Sequence, residues 1–297
     1  MDRQIQQTPV IGASEYDTCY FLVHKAYSHF FKDINKIKEK PTFDPENFTK
    51  ILGSLAKINF NDSAGKKKLI EQFKGYLLIN DNNSFLEKSI RDYTSESPFC
   101  YLFNKLMRNF ESGLISFAYY MGPFLFAANK YVKENPSFAM SKDMTLYRNI
   151  VCSKIDFYLY KLNKGHIICF PSITSTSSEE KNFAPTGMAQ QINNNKANEM
   201  IKIKIIFKYK HASGNISPGI IVENKKGHDN KYLSHYPSEK EVILFPFTFA
   251  RIKDIKQENK GGNNINKIEL EIINRTSYIE YTLKDNVKNR FLFSKLD

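Results

Sequence analysis

Two carboxylates lie next to an apolar run near residue 241. Glu239 and Glu241 are two positions apart, and residues 242–245 form a run typical of a buried strand that ends at Pro246. If the extended conformation reaches back to Glu239, both carboxylates point to the same face. Two carboxylates at the end of a buried strand suit a reaction in which positive charge develops on a sugar. The alternative is a solvated strand end whose charges keep a sheet edge soluble.

A second candidate is an arginine inside the strand-like run at residues 144–150. Arg148 lies between Leu146 and Ile150, and a guanidinium there needs a partner because an unpaired buried charge is costly. Its planar fork suits bidentate binding of phosphate or carboxylate. An arginine on an exposed strand face, or in a structural salt bridge, is the alternative.

The third candidate is the hydroxyl-rich segment 174–178, which reads Thr-Ser-Thr-Ser-Ser. Adjacent hydroxyls at a strand end can hydrogen-bond a carboxylate and a nucleotide ribose together. The same residues also fit a Ser-x-x-Glu cap of a helix that would begin near Glu179 and Glu180. A Ser-His-Asp mechanism is not indicated, because the glycine-flanked elbow around a serine is absent.

The composition is that of a globular protein with a strong positive charge. The chain has 297 residues, 41% of them hydrophobic, and a formal net charge of +12. This balance favours anionic partners such as nucleotides. The lysines are spread along the chain, so we expect no dedicated nucleic-acid binding. We expect no metal site either, because the cysteines and histidines lack zinc spacing.

Two features of the sequence bear on the cellular compartment of the protein. The N-terminus has no apolar core of a signal peptide. An uncharged run between Glu111 and Lys130 approaches the length of a membrane span, but Gly122-Pro123 interrupts it and several polar residues lie within it. We therefore expect a buried helix or helix pair there, no membrane binding and a cytoplasmic protein as written, although delivery as an effector stays open.

The order of the elements indicates an α+β fold. A helical N-terminal extension is predicted over 1–83, and helices over 84–135. A strand-rich region is predicted over 140–297. Its strand-like runs are 144–150, 156–160, 167–175, 200–209, 219–223, 241–252, 267–273 and 289–294. Helices first and strands second favour α+β over an alternating architecture.

Arginine, then Ser-Thr-Ser, then Glu-x-Glu, each on a strand, resembles the R-S-E class of arginine-specific mono-ADP-ribosyltransferases, which includes clostridial-type binary toxins and animal ecto-enzymes. The resemblance covers residues 84–297. It implies a helical lobe followed by a mostly antiparallel, β-sandwich-like core. One departure is Asn149, where the family often has glycine. The fit of the lysine- and glycine-rich stretch 224–231 to the family's acceptor-recognising loop stays open.

The resemblance also implies roles for individual residues. Arg148 would bind the NAD phosphates, and Ser175 would hold the catalytic glutamate and line the nicotinamide-ribose site. Glu241 would bond the ribose 2′-hydroxyl, and Glu239 would mark arginine as the acceptor. These four residues form the predicted catalytic set. The predicted NAD-binding residues are Arg148, Asn149, Ser175, Thr176, Phe183 and Glu241.

The function implied is transfer of ADP-ribose from NAD to an arginine side chain of a target protein, with release of nicotinamide. NAD is then a substrate, and no metal is needed. Two alternatives stay open. One is an NAD glycohydrolase or self-modifying enzyme that uses the same residues. The other is a non-enzymatic basic binding module. The sequence does not name the target protein.

Overall fold

The computed structural model describes residues 49, 51–53, 55–56, 63–95, 97–100, 114–170, 172–180, 200–213, 216–260 and 263–273. Most of the predicted N-terminal extension, Phe183 and the predicted strand at 289–294 lie outside this part of the chain. The N-terminal helical lobe is therefore not confirmed, and the domain boundary at residue 83 stays a prediction.

The helices come first in the described chain. They are α1 (Ser63–Lys74), α2 (Asn82–Thr94) and α3 (Leu114–Glu134), with 3₁₀ turns at Gly75–Leu78 and Pro136–Phe138. Helix α1 buries Leu69 and Phe73, which are four positions apart on one face. Helix α2 begins after Asp81, whose carboxylate accepts hydrogen bonds from two backbone N–H groups of the first turn, at 2.9 Å each.

Helix α3 covers most of the uncharged run and continues through Pro123. Tyr120, Phe124 and Ala128 on this helix are fully buried, which confirms a helix packed into a protein core. Within the described residues, no helix has the length and apolar character needed to cross a membrane.

In the part of the chain that the structure describes, eight strands form one mixed sheet. They are β1 (Met144–Ser153), β2 (Ile167–Phe170), β3 (Thr174–Ser177), β4 (Met200–Tyr209), β5 (Gly219–Ile221), β6 (Glu241–Leu244), β7 (Thr248–Lys260) and β8 (Asn263–Ile272). Their order is β2-β7-β8-β4-β1-β3-β6-β5. Every described pair of neighbours is antiparallel except β4 and β8. The predicted α+β class with a mostly antiparallel sheet is confirmed.

The sheet divides into two halves at one pair of residues. Strand β1 pairs with β4 along its full length, but it pairs with β3 only through Tyr147 and Ser177. A five-stranded half and a three-stranded half thus meet there. In the described residues this one pair joins the two halves into a single hydrogen-bonded sheet. The sandwich-like arrangement of the core stays a prediction.

Three predicted strands differ from the structure. Residues 156–160 lie in helix α4 (Lys154–Leu162), because Phe157 and Tyr160 bury at helical spacing while Tyr158 is exposed. The run 167–175 divides into β2 and β3. The run 241–252 divides into β6 and β7, where Phe247 adopts a left-handed φ of 59°. A left-handed residue cannot continue an extended strand.

Two hydrophobic clusters stabilise the fold. One joins the helices to the three-stranded half and includes Phe85, Tyr120 and Ile243. The other lies within the five-stranded half and helix α4 and includes Val242 from β6. Strand β6 is thus buried on both faces, as its apolar run predicts. Because side chains alternate along a strand, Glu241 shares the face of Ile243, toward the helices.

Candidate active site

Glu241 is the first residue of β6, and its carboxylate lies at the centre of the candidate site. Its residue is only 6% exposed. Oε1 accepts a hydrogen bond from Ser175 Oγ at 2.7 Å, and Oε2 accepts one from Ser234 Oγ at 2.7 Å. The β3–β6 register pairs Ser175 with Ile243, so Ser175 reaches Glu241 diagonally across the strands.

Ser175 connects four elements of the fold. Its backbone N–H donates to Tyr93 Oη of helix α2 at 2.8 Å, and its carbonyl accepts from an Arg148 guanidinium N–H at 2.6 Å. The neighbouring Thr176 is buried, and its hydroxyl donates to the Val242 carbonyl at 2.6 Å. Arg148, Ser175 and Glu241 therefore come together, while the Thr176 hydroxyl ties β3 to β6.

Arg148 is half-buried on β1. Among the described residues its guanidinium has a carbonyl partner and no ion pair with a carboxylate. A guanidinium carries five N–H donors, and this contact with a described residue uses one of them. The arrangement matches a site that binds phosphate or carboxylate bidentately.

Asn149 follows on the same strand and pairs with Lys204 of β4. Its Oδ1 is buried and has no hydrogen-bond partner in the described part of the chain. Lys204 is 6% exposed, and its ammonium donates to Glu180 at 2.6 Å. Lys204 thus anchors Glu180 against the sheet, three residues after β3 ends.

Glu239 does not share the environment of Glu241. Lys240 between them has a φ of 54°, so the strand begins at Glu241 and the extended conformation does not reach back to Glu239. Glu239 is exposed. Lys240 is held by an ion pair with Glu223 at 2.5 Å and by the Ser178 backbone N–H, which donates to its carbonyl at 2.9 Å. These contacts stabilise the turn that places the Glu241 carboxylate in the protein interior and the Glu239 carboxylate at the surface.

The hydroxyl of Ser177 also supports this turn. It donates to the Glu239 carbonyl at 3.1 Å and accepts from the Glu179 backbone N–H at 3.2 Å. Residues 178–180 form no helix, so the helix cap that the Ser-x-x-Glu pattern allowed is not found there.

Burial raises the pKa of the Glu241 carboxyl above its ordinary value. The hydroxyls of Ser234 and Ser175 act in the opposite direction because they donate to the charged form. The negative charge of Glu239 raises this pKa further, and the positive charge of Arg148 lowers it. Burial also raises the pKa of Tyr93 to about 12, so its phenol stays neutral beside Ser175.

The raised pKa of Glu241 makes stability depend on pH. The folded protein keeps a proton on Glu241 that the unfolded chain releases, so this contribution is full below the unfolded pKa. It is lost as pH rises through the folded pKa. We expect the wild type to lose stability relative to Glu241→Gln as pH rises from acid to neutral. Urea unfolding of both proteins across that range checks this, and a pH-independent difference would contradict it.

Two further residues of the site were missed by the sequence analysis. Ser234 lies in the loop between β5 and β6 and matches no motif, so no sequence signal points to it. Tyr93 lies 82 residues before Ser175. Its helical spacing from Ile90 predicts burial, and a buried tyrosine needs a hydrogen-bond partner, but the partner's identity depends on the tertiary fold.

The loop that carries Ser234, residues 222–240, is called here the β5–β6 loop. Helix α2 holds it at several points. Glu87, which is 3% exposed, accepts from the His228 backbone N–H at 2.8 Å. Arg91 pairs with Asp229 at 2.5 Å and donates to the Tyr232 carbonyl at 3.0 Å. The lysine- and glycine-rich stretch 224–231 is therefore packed against α2.

Gly227 makes this close approach possible. A Cβ at this position would overlap the carboxylate of Glu87 and lie 2.8 Å from an Arg91 nitrogen. The glycine in the stretch thus has a packing role, because only a residue without a side chain allows the loop to reach the buried carboxylate.

No group of three or more His, Cys, Asp or Glu side chains that could hold a metal ion occurs among the described residues. The described side chains assigned to the candidate site are those of two serines, a tyrosine, an arginine and two carboxylates. Phe183, expected beside nicotinamide, lies outside the described chain.

Comparison with known proteins gives matches only to solved structures. No protein-family model matches the chain, and no curated protein sequence does. Plx2a, an ADP-ribosyltransferase toxin from Paenibacillus larvae, is 16% identical, with 71% of this chain and 93% of that chain covered at a TM-score of 0.39. The ADP-ribosyltransferase HopU1 of Pseudomonas syringae is 16% identical, with coverage of 72% and 84% and a TM-score of 0.42.

The Vis toxin, an ADP-ribosyltransferase from Vibrio splendidus, is 18% identical, with coverage of 75% and 91% and a TM-score of 0.36. Each of the three is described as an ADP-ribosyltransferase.

Proposed function

We propose that this protein transfers ADP-ribose from NAD to an arginine side chain. The observation that carries the proposal is the buried Glu241 carboxylate, held by the Ser175 hydroxyl at 2.7 Å while the Ser175 carbonyl binds the Arg148 guanidinium. One serine thus connects a fixed negative charge to an arginine that has no carboxylate partner among the described residues. This combination suits a substrate with a diphosphate and a ribose that becomes positively charged.

Glu241 is assigned the bond cleavage. When the bond between the ribose C1′ and the nicotinamide nitrogen breaks, its electron pair stays on that nitrogen and the ribose becomes oxocarbenium-like. A carboxylate fixed before the reaction stabilises that charge without reorganisation. An ionised carboxylate has roughly four acceptor positions, so the ribose 2′-hydroxyl can donate to Glu241 while both serines stay bound.

Arg148 is assigned the binding of the NAD diphosphate. Its contact with the Ser175 carbonyl fixes one side of the guanidinium, and the remaining donors form a planar fork that matches phosphate oxygens. Holding the diphosphate fixes the distance between the scissile bond and Glu241, which orients the cleavage.

Glu239 is assigned the binding of the acceptor arginine side chain. It is exposed at the turn before Glu241, so an incoming side chain can reach it. A target guanidinium would pair with its carboxylate and pass a proton to it, and a guanidinium nitrogen would form the bond to C1′ as the bond from C1′ to nicotinamide breaks. Glu239 is exposed to solvent and Glu241 is buried, so acceptor binding and bond cleavage are assigned to two different environments.

The test is incubation of the purified full chain with NAD labelled in the adenylate part, together with a protein lysate and, separately, agmatine. Labelled protein and labelled agmatine support the transferase. Free ADP-ribose as the only labelled product indicates the glycohydrolase, and label on the chain itself indicates self-modification. NAD that is neither cleaved nor bound, as measured by calorimetry, would overturn the proposal.

Arg148→Lys is expected to weaken NAD binding although the charge is kept. Lysine is a point charge without the planar fork, so it cannot form the two parallel hydrogen bonds to phosphate that a guanidinium forms. We expect the dissociation constant to rise by about tenfold, the effect of losing one charge-assisted hydrogen bond. Isothermal calorimetry with NAD measures this.

Arg251→Lys is the matched control for this experiment. Arg251 on β7 also donates to a backbone carbonyl, that of Gly165 at 3.2 Å, but it is exposed, and two strands, β8 and β4, separate β7 from β1 in the sheet. Its replacement should leave NAD affinity unchanged. An unchanged dissociation constant in Arg148→Lys as well would show that Arg148 has a structural role.

A further inference from the structure

Glu241 is bound by two hydroxyls from different parts of the chain. Ser175 comes from strand β3, and Ser234 comes from the β5–β6 loop. Ser234 is 2% exposed, and its Oγ accepts from the Tyr236 backbone N–H at 3.0 Å. Because Tyr236 occupies an acceptor position of this oxygen, the single hydroxyl hydrogen is left for the Glu241 carboxylate at 2.7 Å.

We propose that Ser234 is a positioning residue for Glu241, which fixes the second carboxylate oxygen so that both oxygens are oriented before substrate binds. The inference rests on the proposed function, since it takes Glu241 as the carboxylate that faces the ribose. Ser234 itself acts through Glu241 and needs no contact with NAD.

The need for a second donor follows from the freedom of a glutamate side chain. The terminal torsion of glutamate is broad, because it joins an sp³ carbon to a planar carboxylate. One hydrogen bond from Ser175 leaves the carboxylate able to rotate about that contact. A donor on the other oxygen removes this freedom, and it also offsets part of the cost of burying the charge.

The backbone around Ser234 is itself fixed. Leu233 before it is fully buried in the cluster formed by the helices. The backbone N–H of His235 after it donates to Thr94 Oγ1 of helix α2 at 3.2 Å. Both neighbours of Ser234 are therefore anchored, so its hydroxyl is placed by helix α2 and the core without any ligand.

The chain offers a matched control in Ser217, just before β5. Ser217 is 8% exposed, donates to the Gly219 carbonyl at 2.6 Å and accepts from the Met140 backbone N–H at 3.0 Å. Ser217 and Ser234 thus make the same pair of bonds, but the acceptor of Ser217 is a neutral carbonyl. Ser217→Ala reproduces the loss of a buried serine without changing the Glu241 carboxylate.

The first test is a carbon-13 NMR titration of the full chain labelled at the glutamate side-chain carboxyls, with the Glu241 signal assigned by its absence in Glu241→Gln. Ser234→Ala should move the titration of Glu241 to higher pH, because it removes a donor to the charged form. Ser217→Ala should leave it in place. A Glu241 titration in Ser234→Ala that matches the wild type would overturn the inference.

The second test is the pH profile of NAD cleavage. In Ser234→Ala we expect kcat to fall about tenfold at neutral pH, the scale of one hydrogen bond to a charged group. The acid limb of the profile should move to higher pH, with KM for NAD near its wild-type value. Ser217→Ala should keep the wild-type kcat and the wild-type position of the acid limb. Equal changes in the two variants would overturn the positioning role.

Ser234→Cys covers the case in which the alanine variant does not fold. It keeps nearly the same side-chain volume and replaces a strong hydrogen-bond donor by a weak one. The Glu241 titration and kcat should therefore change in the same direction as in Ser234→Ala, but by a smaller amount. Wild-type titration and kcat in this folded variant would overturn the inference. Absence of NAD cleavage in the wild type would instead overturn the proposed function, while the NMR titration still decides the role of Ser234.

Discussion

Glu241→Gln is expected to abolish both ADP-ribose transfer and NAD hydrolysis. Glutamine keeps the shape of the side chain but removes the buried charge that stabilises the oxocarbenium-like ribose. Loss of one preorganised electrostatic group costs about 2.7–4 kcal/mol of barrier stabilisation, or about 10²–10³ in kcat. Release of nicotinamide from NAD, with and without agmatine, measures both activities in one assay.

Two controls separate this effect from damage to the fold. Glu271→Gln removes a carboxylate on β8 that pairs with Lys253 at 3.2 Å, and it should keep full activity. Unfolding curves of Glu241→Gln at neutral pH should show a folded protein. Near-normal hydrolysis in a folded Glu241→Gln variant would disprove the assignment of Glu241 to bond cleavage.

The second large effect is a separation of the two activities in Glu239→Gln. We expect this variant to lose transfer to agmatine and to retain substantial NAD hydrolysis. A guanidinium pairs with a carboxylate through two parallel hydrogen bonds, and glutamine loses the charge and one acceptor oxygen. Water needs no such partner and can still reach the ribose.

The structure makes this substitution a clean test of acceptor binding. The backbone of Glu239 is held at both ends, by the Tyr236 carbonyl at 3.0 Å and the Ser177 hydroxyl at 3.1 Å, so glutamine leaves these turn contacts in place. Equal loss of both activities would show that Glu239 supports the NAD pose or the fold. Retention of both would show that the acceptor is not arginine, or that another acid binds it.

The sequence predicted the parts of the site that depend on local pattern. The apolar run after Glu241 correctly predicts a buried strand, and the ordered motifs name Arg148 and Ser175, which do lie together with Glu241. The position of Glu239 could not be predicted in this way. It depends on a lysine in the left-handed region, which is usually occupied by glycine or asparagine, and on contacts of Lys240 with Glu223 and Ser178.

The errors in the fold have a similar origin. Residues 156–160 are rich in aromatic and apolar residues that favour strands, but burial of Phe157 and Tyr160 against the sheet makes the segment helical. Ser234 was missed because nothing in its neighbourhood along the chain distinguishes it from any loop serine. Its role arises only when helix α2 brings the β5–β6 loop back to the start of β6.

The attachment of the β5–β6 loop to helix α2 also bears on the entropy of acceptor binding. A recognition loop that is mobile when free loses about 1–2 kcal/mol of conformational entropy per residue that it orders on contact. Here Glu87, Arg91 and Thr94 have already ordered this segment during folding. If the proposed function holds, a target protein that docks against Glu239 would meet a surface already ordered, and more of its contact energy would go into affinity.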